Sequence, residues 1–373
     1  MAQAYIVAGM AFGDESKGAT VDALCRSLPI DLIVRYNGGC QAAHHVVLED
    51  GRSHCFSQFG AGMLANNKVR THLSRYMLVE PFSMMKEADA LGKMTDNVWE
   101  RTTVDRNAVI VTPIHRAINR IREQRRGVNA HGSCGRGIGV AREMQLKHGG
   151  SVLMAKDLEY HNRTMEKLEY LLDEVSQELQ GGTVYFSLGD LTECADRYQN
   201  WPATLVSYMP PMEWMVFEGA QGVMLDEKHG TAPHNTWTNT TFENADTLLE
   251  EVGIKRVFST RIGCFRSYFT RHGAGPFRTE ETGLDLPEPH NNSTGFQGKF
   301  RVGRFDYEMA EQALNIVKGV DFLSVSHLDY LPKFGVSEQD FLEHIEDELG
   351  TPVRICSHGP TAAHRKIDLG VTA

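Results

Sequence analysis

Near its start the chain runs from a short apolar segment, residues 5–8, through the stretch Gly9-Met10-Ala11-Phe12-Gly13-Asp14-Glu15-Ser16-Lys17-Gly18 into a helical pattern over 19–26. Residues 31–35 (Asp-Leu-Ile-Val-Arg) then read as a second strand. A strand–loop–helix–strand opening constrains the fold strongly, because strands joined through a crossover helix pair in parallel and parallel sheets are covered on both faces. Further strand-like segments at 109–113, 184–187, 215–218, 256–259 and 322–326 alternate with helical patterns such as 162–179 and 307–318. The expectation is an α/β fold with a mainly parallel central sheet flanked by helices. No repeat, low-complexity tract or long linker divides the sequence, so residues 1–373 are read as one domain, with 280–292, rich in Pro, Asn and acidic residues, as a surface loop.

Charge and cysteine usage narrow the function. With 48 acidic against 38 basic side chains the formal net charge is −10, which repels a phosphate backbone and argues against nucleic-acid binding. No run approaches the ~20 apolar residues of a bilayer span. The first residues lack the basic and apolar regions of a signal peptide. Seven scattered cysteines without CxxC spacing read as reduced thiols of a cytoplasmic protein. His131, His148, His272 and His358 share no ligand-like spacing.

A Gly-rich loop between strand and helix suits an anion: backbone N–H groups and the helix N-terminus face it, and Lys17 adds a point charge. The spacing is not that of a Walker A loop. Read alone, the loop is equally a Gly-rich turn with a solvated Asp-Glu pair. The segment Arg35-Tyr36-Asn37-Gly38-Gly39-Cys40-Gln41-Ala42-Ala43-His44-His45, just after the second strand, should lie at the same sheet edge.

Together these two segments resemble the adenylosuccinate synthetase family, whose usual forms are GDEGKGK and RxxGGxNAGHT. The likeness recurs, in family order, at Gly135-Arg136-Gly137-Ile138-Gly139, at Phe217-Glu218-Gly219-Ala220-Gln221-Gly222 with Leu225-Asp226 and His229-Gly230-Thr231, at Thr270-Arg271-His272-Gly273-Ala274-Gly275-Pro276-Phe277, and at Ser357-His358-Gly359-Pro360. His229 in the His229-Gly230-Thr231 turn reads as structural.

The resemblance implies a ligase that phosphorylates O6 of a purine monophosphate and displaces that phosphate with L-aspartate. Asp14 matches the base at purine N1, His44 the acid and phosphoryl-stabilising group, and Lys17 a further charge on the phosphates. The implied triphosphate site comprises Gly13, Glu15, Ser16, Gly18, His44, His45, His327, Asp329, Ser357, Gly359 and Pro360. The implied monophosphate site comprises Asp14, Gln41, Ser133, Cys134 (in place of a threonine), Gln221, Thr236 and Phe296. Aspartate should meet Thr294, Lys299 and Arg301; Mg²⁺ should meet Asp14 and the carbonyl of Ala43. A homodimer is implied, with Lys147 or His148 as candidates for the basic residue that reaches the partner's monophosphate.

Departures from the family pattern cluster at the substrate. Ser16 replaces glycine, Gln41 asparagine, Ala43 glycine and His45 threonine. Phe296 stands where the family carries an arginine near the ribose hydroxyl, and losing that donor removes the preference for ribose. A hydroxyl at Ser16 suits an exocyclic amino group. These changes resemble the bacteriophage branch of the family and favour dGMP with ATP in a host cytoplasm, although Asp329 suits GTP. The alternatives are a synthetase using IMP and GTP, and a nucleotide-binding regulator without catalysis.

Overall fold

The computed structural model describes residues 2–127, 132–180, 185–284, 286 and 298–370. Among the described residues ten strands form one sheet, in the order Arg365–Ile367, Val353–Ser357, Phe322–Ser326, Ser259–Arg266, Gln3–Gly9 (β1), Trp214–Gly222, Leu32–Arg35 (β2), Arg70–Leu73, Thr102–Asp105 and Thr204–Val206. Every neighbouring pair is parallel except the first, which is antiparallel.

β1 lies mid-sheet, and its side chains alternate between two cores. Tyr5 and Val7 join Val21, Leu24 and Cys25 of helix α1 (Lys17–Ser27) on one face. Ala4, Ile6 and Ala8 join Met215, Phe217, Leu248 and Leu314 on the other. An apolar run without polar alternation is what a strand buried on both faces requires.

Several elements differ from the sequence reading. Residues 256–258 form a 3-10 turn, Arg256–Phe258, and the strand begins at Ser259. At 184–187 the described residues are not strand: Ser187 caps the helix Leu188–Gln199, its Oγ accepting from Asp190 N at 3.2 Å, a Ser-x-x-Asp start signal. The strand at 109–113 shrinks to Val109–Ile110, outside the main sheet, because Thr112 and Pro113 open the helix Pro113–Arg126. The 162–179 pattern splits into His161–Glu174 and Ser176–Leu179, and the 307–318 helix is Tyr307–Ile316. Most of 280–292 lies outside the described residues.

The hairpin β3 (His44–Val47) and β4 (Ser53–Phe56) folds over α1. The loop that follows is held from two sides. Arg35 on β2 donates to the carbonyls of Ser57 and Phe59 at 3.2 and 3.0 Å, while Glu87 accepts from Ser57 N at 2.8 Å and Gln58 N at 3.0 Å. Burial pushes the Glu87 carboxyl up from its ordinary 4.5 to about 7, against those hydrogen bonds and Arg35. A carboxyl raised by folding contributes stability that is complete below its unfolded pKa and lost as pH rises through the folded value. Between pH 4.5 and 7.5, wild type should therefore lose on the order of 1–3 kcal/mol more than Glu87→Gln, read from denaturant melts. Parallel curves for the two proteins would refute this.

Candidate active site

The carboxyl ends of β1, β2 and Trp214–Gly222 open into a cleft of about 1670 Å³, where open parallel sheets bind their ligands. The loop after β1 is braced from inside. Gly13 N donates to Glu15 Oε1 at 2.7 Å, and Lys17 Nζ bridges Gly13 O (2.7 Å) and Glu15 Oε2 (3.0 Å). The chain passes so close that a Cβ at Gly9 would sit 2.1 Å from Glu15 Oε2. Glu15 is thus a buried strut that does not line the cleft, whereas Gly13, Asp14, Ser16, Lys17 and Gly18 do.

Ser16 precedes α1 in the left-handed region (φ 55°), and its hydroxyl makes no capping hydrogen bond. The first N–H groups of α1 are left without a side-chain cap at the cleft wall, where the helix dipole favours an anion.

At Gly18 a side chain is excluded, because a Cβ would stand 2.4 Å from His44 Cβ. The missing side chain brings His44, first residue of β3, against the start of α1. Nδ1 of His44 meets Glu218 Oε1 at 2.5 Å, and Glu218, fully buried mid-sheet, also accepts from Ala61 N at 2.9 Å and lies 4.0 Å from Arg35. Burial lowers the His44 pKa, and the Glu218 charge opposes it; Glu218 itself, despite burial, is held low by Arg35 and His44. Glu218 pins the imidazole and leaves Nε2 as the nitrogen for a ligand. The sequence reading passed over Glu218. A lone carboxylate inside the apolar run Trp-Met-Val-Phe-Glu was its signal, since buried charges are paired.

Gln41 and Gln221 both line the cleft. Among the described residues neither amide atom of Gln41 and not the Oε1 of Gln221 has a hydrogen-bond partner, although all are buried. Buried polar atoms left open in a cleft mark where a polar ligand belongs. Gln221 is held there in a left-handed conformation, φ 61°. Ser133, Cys134 and Thr236 also line the cleft; Ser133 Oγ accepts from Asn119 at 2.9 Å, and burial raises the Cys134 thiol.

His45, His327, Asp329, Ser357, Gly359 and Pro360 line the cleft as well. His327 packs edge-on to Tyr268 and Tyr330, and burial with Arg266 nearby holds it well below its ordinary pKa. Asp329 is raised by burial.

The expected aspartate loop is only partly described. Thr294 and Phe296 lie outside the described residues. Arg301 pairs with Glu280 at 2.8 Å and donates to Gly275 O at 2.9 Å; neither it nor Lys299 lines the cleft. Lys147 and His148 each pair with Glu174, at 3.3 and 3.1 Å, outside the cleft lining.

Asp14 is about a quarter exposed, and His272 Nε2 lies 3.4 Å from its Oδ2. Burial opposes its charge, but His272, Arg266 and Lys17 outweigh burial and hold the carboxyl down at about 2. An ionised carboxylate beside the α1 N-terminus fits Mg²⁺, which takes one or two carboxylates plus substrate phosphates rather than an all-protein cage. No cluster of three or more His, Cys, Asp or Glu suited to a metal occurs among the described residues. Asp14 and the carbonyl of Ala43, both at the cleft, would hold the ion.

A sequence profile of adenylosuccinate synthetase matches residues 6–336. The chain belongs to the adenylosuccinate synthetase family. Adenylosuccinate synthetase of Methylococcus capsulatus is 32% identical over 368 residues, covering 90% of this chain and 80% of that protein. The Pasteurella multocida enzyme is 28% identical, covering 96% and 97%. Among solved structures, fully ligated adenylosuccinate synthetase from Plasmodium falciparum superposes with a TM-score of 0.82 at 20% identity, over 97% of this chain and 99% of that one. Cyanophage S-2L succinoaminodeoxyadenylate synthetase, bound to dGMP and dATP, gives 0.67 at 19% identity, over 98% and 95%. The chain is thus an adenylosuccinate synthetase-like carbon–nitrogen ligase of large α/β fold. No helix among the described residues is long and apolar enough to cross a membrane.

Proposed function

We propose that this ligase joins L-aspartate to C6 of a 6-oxopurine nucleoside monophosphate, using a nucleoside triphosphate. The observation that carries it is the convergence of Asp14, the His44–Glu218 pair and the unpartnered amides of Gln41 and Gln221 at the uncapped start of α1. Asp14 takes the proton from purine N1. O6 then attacks the γ-phosphorus, the bond to the bridging oxygen breaks, and the nucleoside diphosphate leaves. The aspartate amine next attacks C6, the C6–O6 bond breaks, and phosphate departs with the proton that the amine gives up. His44 Nε2 and Lys17 face the charge that builds on the phosphoryl oxygens. Mg²⁺, when bound, neutralises further phosphate charge.

IMP with GTP is the substrate pair that the sequence relatives favour, giving adenylosuccinate. One observation supports a second pair, dGMP with ATP: the Ser16 hydroxyl lines the cleft without an intrahelical role, where an exocyclic 2-amino group could donate to it. In either case the enzyme is proposed to act as a homodimer.

Aspartate-dependent phosphate release, measured with IMP, dIMP, GMP and dGMP crossed with GTP and ATP, decides between them. Fastest turnover on IMP with GTP is expected, and fastest turnover on dGMP with ATP would install the second pair. No aspartate-dependent release with any purine would overturn the ligase assignment and favour a nucleotide-binding regulator.

A further inference from the structure

The strand Phe269–His272 pairs antiparallel with Phe300–Gly303, and its last residue, His272, stands opposite Phe300. The two rings lie 4.9 Å apart at 57°. On its other side His272 Nε2 reaches Asp14 Oδ2 at 3.4 Å, with both side chains at the cleft and about a quarter exposed. Asp14 is fixed through its backbone, whose carbonyl accepts from Arg266 Nε, but that bond does not set the carboxylate's rotation. A short carboxylate at the rim of a wide cleft has χ freedom that must be removed before one oxygen can meet a ring N–H in line.

We propose that His272 is a positioning residue, which holds Asp14 by Oδ2 so that Oδ1 faces purine N1. The inference rests on the reading of Asp14 as the base. Phe300 backs the imidazole and restricts its rotation, so the strand pair works as a fixed wall behind the carboxylate. His272 forms no bond to the reacting atoms in this role. Its contribution is geometric and belongs to the step at N1 rather than to affinity for the monophosphate.

The test compares His272→Val and His272→Gln with wild type, each checked by thermal melting, using the monophosphate that gives fastest turnover. His272→Val is expected to lower kcat about tenfold with KM for the monophosphate within about twofold, because a misplaced reacting group costs rate rather than binding. In His272→Gln, whose amide N–H reaches about as far as Nε2, kcat should return to within about threefold of wild type. Unchanged kcat in His272→Val overturns the proposal. So does a raised KM at constant kcat, which would make His272 a substrate-binding group. Asp14→Asn is run alongside: full activity there would remove the base assignment itself, a failure distinct from that of His272. Should His272→Val fail to fold, the kcat and KM of His272→Gln against His272→Asn, whose shorter amide cannot reach Oδ2, decide in the same way.

Discussion

Asp14→Asn is expected to lower turnover by about 10³-fold while leaving monophosphate affinity within a few-fold, as loss of a general base should. Asparagine keeps the shape and one acceptor oxygen, so the loop from Gly13 to Lys17, braced by Glu15, has no reason to move. What it cannot do is take a proton. A carboxyl held down at about 2 is at first sight a poor base. Its charge is held by His272, Arg266 and Lys17, and two changes on substrate binding act against that. Phosphates arriving at the α1 N-terminus bring negative charge toward Lys17 and Arg266, and the purine displaces water from a site already partly buried. Both raise the carboxyl toward the range in which proton transfer from N1 is effective. In the free enzyme the group stays ionised throughout the neutral range, so no acid limb from Asp14 should appear in kcat/KM above pH 4. The measurements are calorimetric binding of the monophosphate and phosphate release at saturating aspartate. Wild-type turnover in Asp14→Asn would dismiss the carboxylate from chemistry.

How much of this could be read from the chain alone depends on what each segment buries. The β1–loop–α1–β2 opening was legible because Tyr5 to Ala8 and Leu32 to Val34 are apolar on both faces, and its Gly-rich loop sits between them. Arg70–Leu73 and Thr102–Asp105 were not, although both are sheet strands. Their polar side chains answer one another across the ladder, as His72 Nδ1 and Thr103 Oγ1 do at 3.0 Å, and such pairing leaves no hydrophobic signature. At the site, the loop residues were legible as a class, but Glu15 as strut and Lys17 as its partner needed coordinates. The role of Gly18 came from the position of His44 Cβ, 26 residues further on, a contact no local pattern encodes. Arg301, expected at the aspartate, pairs with Glu280 and donates to the Gly275 carbonyl, contacts that no local pattern encodes.

Glu218 should separate two kinds of damage. Glu218→Gln retains an oxygen at the place of Oε1, so His44 Nδ1–H keeps an acceptor and the imidazole keeps its tautomer. The lost charge removes what stabilises the imidazolium when His44 protonates next to the migrating phosphoryl group. A fall in kcat of about 10²-fold with little change in KM is expected, within the range of acid–base contributions. Glu218→Ala is a different experiment. Arg35 is fully buried, and two of its nitrogens, Nε and Nη2, have no hydrogen-bond partner among the described residues. With the carboxylate gone, that charge is uncompensated in the sheet, a loss of about 3–5 kcal/mol for a broken buried pair. The Ala61 N–H, which Glu218 Oε2 accepts at 2.9 Å, is orphaned as well. Glu218→Ala should therefore melt well below wild type; Glu218→Gln also loses the charge that balances Arg35 and turns its amide N–H toward Ala61 N, so it too should melt below wild type, and its turnover is compared at temperatures where it is folded. If the Gln variant turns over as wild type does, His44 works without a negative partner, and the Glu218 carboxylate serves the fold by balancing Arg35.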